Sequence, residues 1–71
     1  MERDNITVRI NGERRAVPAG QSMAELLGAL NVSSDRVAIE LNKSIVRKRD
    51  WHTATVPDNA EIEIVEFVGG G

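Results

Sequence analysis

Glu61-Ile62-Glu63-Ile64-Val65-Glu66-Phe67-Val68, running directly into Gly69-Gly70-Gly71, is the stretch on which the fold turns. It is the longest strand candidate in the chain. Side chains alternate across a strand, so Ile62 and Ile64 share one face while Glu61, Glu63, Val65 and Phe67 share the other. Its apolar face needs a covering layer, and its backbone needs a neighbouring strand. The rest of the sequence supplies both.

Upstream, Pro57-Asp58-Asn59-Ala60 reads as a turn, and Thr53 to Val56 as a possible short strand. Val37, Ile39 and Leu41 alternate with Ala38 and Glu40 as a further strand, and Asn42-Lys43 turns the chain toward the apolar pair Ile45-Val46. At the beginning, Ile6, Val8 and Ile10 alternate with Thr7 and Arg9, and Asn11-Gly12 is a strong hairpin signal leading to a return strand from Glu13 to Val17. Two registers are open there. A two-residue turn sets Glu13, Arg15 and Val17 against the apolar face, whereas a three-residue loop with a bulge sets Ala16 there.

The covering layer is a helix. Ser22-Met23-Ala24-Glu25 has the capping-box pattern, in which the serine hydroxyl accepts from a free helix amide and the glutamate reaches back to the cap amide. Met23, Leu26, Leu27 and Leu30 then fall on one helical stripe. Gly28 lies off that stripe, costs about 1 kcal/mol relative to alanine in a helix, and has no evident role. The order of elements gives one two-layer α+β domain over residues 1–71, with a mixed sheet of four to five strands packed on one main helix. With the last strand beside the first, at the sheet centre, this is the β-grasp architecture, and the glycines form a flexible tail.

Composition narrows the function. Seventy-one residues, a net charge of −2, eleven acidic against nine basic residues and no cysteine describe a small, mildly acidic chain without metal or disulfide staples. There is no basic stripe with aromatic platforms for nucleic acid, no transmembrane-length apolar run, and no apolar signal-peptide region at Met1-Glu2-Arg3-Asp4-Asn5, so the cytoplasm is the default compartment. His52 has no second histidine or cysteine with which to hold zinc. No glycine-rich phosphate loop is present either, so no cofactor is expected on the chain, and any ATP is consumed by a partner enzyme. Arg47-Lys48-Arg49 reads as a solvated turn and Trp51 as a core plug at the sheet edge, its indole needing a hydrogen-bond acceptor.

The terminus is the remaining reactive handle. Glycines pack nothing and lose the most entropy on ordering, so three of them after a strand serve the fold poorly. They suit a narrow channel, through which three residues reach at most about 10 Å. The α-carboxyl, with an ordinary pKa of roughly 3.5, is ionised at neutral pH and can attack the α-phosphate of ATP. The resulting acyl adenylate can be captured by a sulfur donor or by an amine. Just before the tail, Val65 and Phe67, with Val68 beside them, form an apolar spot rimmed by acidic residues on the uncovered sheet face, where a partner can dock. In a second arrangement, Phe67 curls under and plugs the sheet end.

The helix Ser22 to Leu30, the segment Val37-Ala38-Ile39-Glu40-Leu41-Asn42, Ile45-Val46, Trp51 and the ending Ile62 to Gly71 together resemble the ThiS family of sulfur carriers in thiamine biosynthesis. The resemblance implies a β-grasp fold and adenylation of Gly71 by a ThiF-type enzyme. Conversion to a thiocarboxylate follows, with sulfur from a donor such as a cysteine desulfurase, and then delivery to a ThiG-type thiazole synthase. Gly70 and Gly71 are then the functional pair, with Gly69 in the tail. Pro57-Asp58-Asn59-Ala60 departs from the family's usual Asp-Gly-Asp turn, which puts the local geometry in question. The molybdopterin-synthase small subunit shares fold and tail but usually approaches its glycines through a proline-containing segment, which Phe67-Val68 lacks. The same fold and tail also suit a ubiquitin-like modifier conjugated through Gly71, or a β-grasp interaction module whose tail is inert.

Overall fold

The structure is a computed structural model that describes residues 4–67. The expectations for Val68 and for Gly69, Gly70 and Gly71 therefore lie outside the described residues. Five strands form one mixed sheet: β1 (Asn5–Ile10), β2 (Glu13–Pro18), β3 (Val37–Leu41), β4 (Ser44–Val46) and β5 (Glu61–Glu66), in the spatial order β2-β1-β5-β3-β4. One helix, α1 (Met23–Ala29), crosses a single face. The last strand lies at the centre, parallel to β1 and antiparallel to β3.

The first hairpin takes the two-residue register. Ile10 faces Glu13, Val8 faces Arg15 and Ile6 faces Val17. Asn11 and Gly12 both have positive φ, at 51° and 86°, as the turn that matches strand twist requires. Of the return strand only Val17 is buried; Glu13 and Arg15, on the same face, stay in solvent.

Helix α1 begins as its sequence dictates. Ser22 Oγ accepts from the Glu25 amide at 3.1 Å, and Glu25 Oε1 accepts from the Ser22 amide at 2.9 Å. Its other early amides are used by the loop from Trp51 to Val56, which contains the segment expected to be a short strand. The Met23 amide donates to Ala54 O and the Ala24 amide to Trp51 O. Thr53 to Val56 thus caps the helix rather than extending the sheet, keeping one isolated bridge between Thr55 and Ser22. At the other end Asn31, with φ 58°, closes a Schellman motif: its amide donates to Gly28 O and that of Val32 to Leu27 O.

The stripe residues Met23, Leu26 and Leu27 are buried against Val8, Ile39 and Ile62, each of these six almost fully enclosed. Burial of such a side chain stabilises by roughly 1.5–3 kcal/mol. Trp51 plugs the β4 edge, its Nε1 donating to Val46 O at 2.9 Å, which satisfies the indole without a partner protein. The turn 57–60 resolves its unusual sequence. Asn59 adopts φ 63° in place of glycine, Asp58 Oδ1 accepts from the Thr7 amide at 3.0 Å, and the Asn59 amide donates to Thr7 O at 2.7 Å.

Candidate functional site

Among the described residues the last element is β5, and its neighbours on both sides fix its place in the sheet. In a sheet each residue aims its backbone donor and acceptor to one side. The odd residues Glu61, Glu63 and Val65 face β3, and the pairing runs on past the strand, where the Phe67 amide donates to Arg36 O at 2.8 Å. On the opposite side, β1 reaches only to Ile62. Asn11 then takes over from within its own turn. Its amide donates to Ile62 O at 2.9 Å, its Oδ1 accepts from the Ile64 amide at 2.8 Å, and its Nδ2 donates to Ile64 O at 3.3 Å.

A second turn asparagine holds the start of the strand. Asn42 Oδ1 accepts from the Glu61 amide at 2.9 Å, and the Asn42 amide donates to Glu61 O at 2.7 Å. Asn42 and Lys43 have φ of 50° and 72°, so the β3–β4 turn has the same left-handed pair as the first hairpin. Two hairpin turns thus clamp β5 from its two flanks, which orients the exit of the chain relative to the sheet.

Two of the apolar residues expected on the uncovered face, Val65 and Phe67, are exposed. Val65 is 51% exposed and Phe67 57% exposed; Phe67 therefore lies open and does not plug the sheet end. The structure adds Ile45, 71% exposed, to which the sequence alone assigns no face. Its signal lies in Asn42-Lys43: a two-residue turn there sets Ile45 opposite Glu40, and alternation puts both on the open face.

Charge is segregated across that face. Glu40 lies directly opposite Glu63, a like-charge pair that disfavours the sheet by a few tenths of a kcal/mol. Toward β2, Arg9 lies opposite Arg14, and both line a shallow cleft of about 380 Å³. The face thus runs from basic at β2 and β1 to acidic at β5 and β3, with Ile45, Val65 and Phe67 around the acidic part. A partner surface that fits it presents apolar groups and a cation.

The other candidates read from the sequence, the basic run 47–49 and His52, lie on the surface. Arg47 precedes a 3-10 turn, Lys48–Asp50, that is exposed throughout; the Lys48–Asp35 pair at 3.7 Å is exposed on both sides and contributes little. His52 is exposed. Among the described residues no three histidine, cysteine, aspartate or glutamate side chains are grouped to hold a metal ion, and no helix is long and apolar enough to cross a membrane.

Comparison with known proteins agrees with this architecture. The sequence model of the ThiS family matches residues 8–71. The sulfur carrier protein ThiS of Bacillus subtilis is 38% identical over 50 residues, covering 70% of this chain and 76% of that protein. A crystal structure of the thiamine biosynthesis protein ThiS from Geobacter metallireducens superposes with a TM-score of 0.81 at 30% identity, covering 93% of this chain and all of the other. A thiazole synthase of Paramagnetospirillum magneticum is 45% identical over 62 residues, which are 87% of this chain. The chain spans only 19% of that synthase's length.

Proposed function

The chain belongs to the ThiS family, and from that premise we propose that it is a sulfur carrier for thiazole formation in thiamine biosynthesis, working through the carboxylate of Gly71. A carboxylate oxygen attacks the α-phosphorus of ATP in a ThiF-type adenylating enzyme, and pyrophosphate leaves. The outer sulfur of a persulfide, on a donor such as a cysteine desulfurase, then attacks the acyl carbon and displaces AMP, and a thiol reduces the resulting acyl disulfide, becoming a disulfide itself and leaving the thiocarboxylate. A ThiG-type thiazole synthase takes the sulfur. Catalysis and ATP binding belong to the partners; this chain supplies a substrate group and a docking surface.

The observation that carries this reading is the setting of β5. It is the central strand, held by Asn11 and Asn42, and it runs toward the glycines with Val65 and Phe67 open beside its end. That geometry suits a group presented to another protein. The occurrence of a similar segment within a thiazole synthase supports the choice of acceptor. The 38% identity to a sulfur carrier favours this reading over a molybdopterin-synthase subunit or a protein modifier.

Reconstitution tests it. The chain is incubated with a ThiF-type enzyme, ATP and a sulfur donor, and the terminus is followed by mass analysis. An AMP adduct followed by a thiocarboxylate is expected, and a chain lacking Gly71 should give neither. Loading that persists without Gly71 would rule out the terminal carboxylate.

A further inference from the structure

On the β1 side of β5 the ladder stops early. Ile62 is bonded to the Asn11 backbone and Ile64 to the Asn11 side chain, after which the first hairpin has turned away. Glu66 aims its amide and carbonyl to this same side, because its register partner Val37 lies between the bonded positions Ala38–Val65 and Arg36–Phe67. No described residue bonds to either group of Glu66. An unpaired donor and acceptor on a strand otherwise paired along its length form a template for one more strand.

Directly beside this edge, on the helix side of the sheet, is a groove of about 240 Å³. Ile10, Leu30, Val32 and Ile64 form its apolar floor, with Arg15 and Glu66 at the rim. Leu30, Val32 and Ile64 are only half-buried, although they pack against the core. The open backbone and the groove adjoin at Ile64 to Glu66. An extended peptide meets both at once, since alternate residues of a strand offer backbone to the edge and side chains to the groove.

We propose that an extended segment of the thiazole synthase adds to the sheet here, exchanging backbone bonds with Glu66 and placing an apolar side chain over Leu30, Val32 and Ile64. The proposal rests on the reading that this chain hands its load to that synthase. A second copy of this chain fits the edge poorly, because antiparallel pairing centred on Glu66 would set two glutamates side by side. The added strand would fix the direction in which β5 leaves the domain, and so aim the chain end at the acceptor.

Backbone N-methylation of Glu66, accessible by chemical synthesis of a 71-residue chain, removes the donor without touching the β3 side. Binding to the purified synthase should weaken roughly tenfold or more, from the lost bond and the blocked edge, while the thermal midpoint stays near that of the unmodified chain. In the unmodified chain, amide exchange at Glu66 should be fast when free and at least about tenfold slower with the synthase bound, whereas Val65 is protected in both states. Unchanged affinity of the methylated chain, or unaltered Glu66 exchange in the complex, would overturn the edge proposal alone. Protection of Glu66 that depends on carrier concentration without the synthase would overturn it in favour of self-pairing. Absence of any binding by the unmodified chain would instead remove the acceptor reading, and the proposal with it.

Discussion

Replacing Asn11 by alanine removes the clamp on the strand that carries the tail, and its cost follows from the structure. Two side-chain bonds to Ile64, at 2.8 and 3.3 Å, are lost, each worth about 0.5–1 kcal/mol at a solvent-exposed site. Alanine must also hold φ near 51°, where L residues other than asparagine and glycine lose roughly 1 kcal/mol or more. The sum is about 2–3 kcal/mol. For a 71-residue chain the total stability is on the order of 4–10 kcal/mol, so the loss is a large fraction and lowers Tm by about 10–20 °C. Asn11→Gly separates the two parts: it keeps the left-handed turn and loses only the bonds, so it should fall by about 1–2 kcal/mol. Denaturant melts read the totals, and amide exchange at Ile64 reads the local effect. Equal losses for alanine and glycine would refute the backbone part. Losses under about 0.5 kcal/mol for both would refute the clamp itself.

Lys43, at φ 72° in the β3–β4 turn, holds a conformation that suits glycine, so Lys43→Gly should raise stability by up to about 1 kcal/mol in urea melts; a loss would mean that the lysine side chain has a contact of its own. A Cβ at Gly28 would meet nothing within 4 Å, so Gly28→Ala should stabilise by about 1 kcal/mol. If calorimetry shows no gain, the glycine already fits the helix without penalty. Phe67→Ala should weaken binding of the adenylating enzyme or the synthase by titration calorimetry while leaving the melt within about 0.5 kcal/mol, as expected for a side chain more than half exposed. A large loss of stability with unaltered binding would make Phe67 part of the core.

Several features are legible because local chemistry determines them. Ser22 and Glu25 cap whatever helix follows them, the Met23, Leu26 and Leu27 stripe needs a sheet, and the alternation from Glu61 onward allows one face inward and one outward. Asn11-Gly12 marks a turn, yet its register stays open because Val17 and Ala16 offer equally good inward residues until the position of the helix decides between them. Thr53 to Val56 resembles a strand in its β-branched residues, but the Met23 amide at the start of α1 takes the Ala54 carbonyl. The turn at Asp58-Asn59 departs from the expected pattern because asparagine stands in for glycine at a positive φ. Ile45 escapes assignment because three residues of β4 carry too little alternation to fix a face. The second role of Asn11, as a surrogate strand partner for Ile64, is a long-range contact that no local pattern encodes.

On the proposed reading the carboxylate of Gly71 carries sulfur. Intact mass analysis of the chain isolated from cells making thiamine addresses it directly. A fraction heavier by the difference between sulfur and oxygen, located at Gly71 by fragmentation and lost when the terminal glycine is deleted, is the predicted result. A chain found only unmodified, or joined to lysines of other proteins through an isopeptide bond, would contradict it.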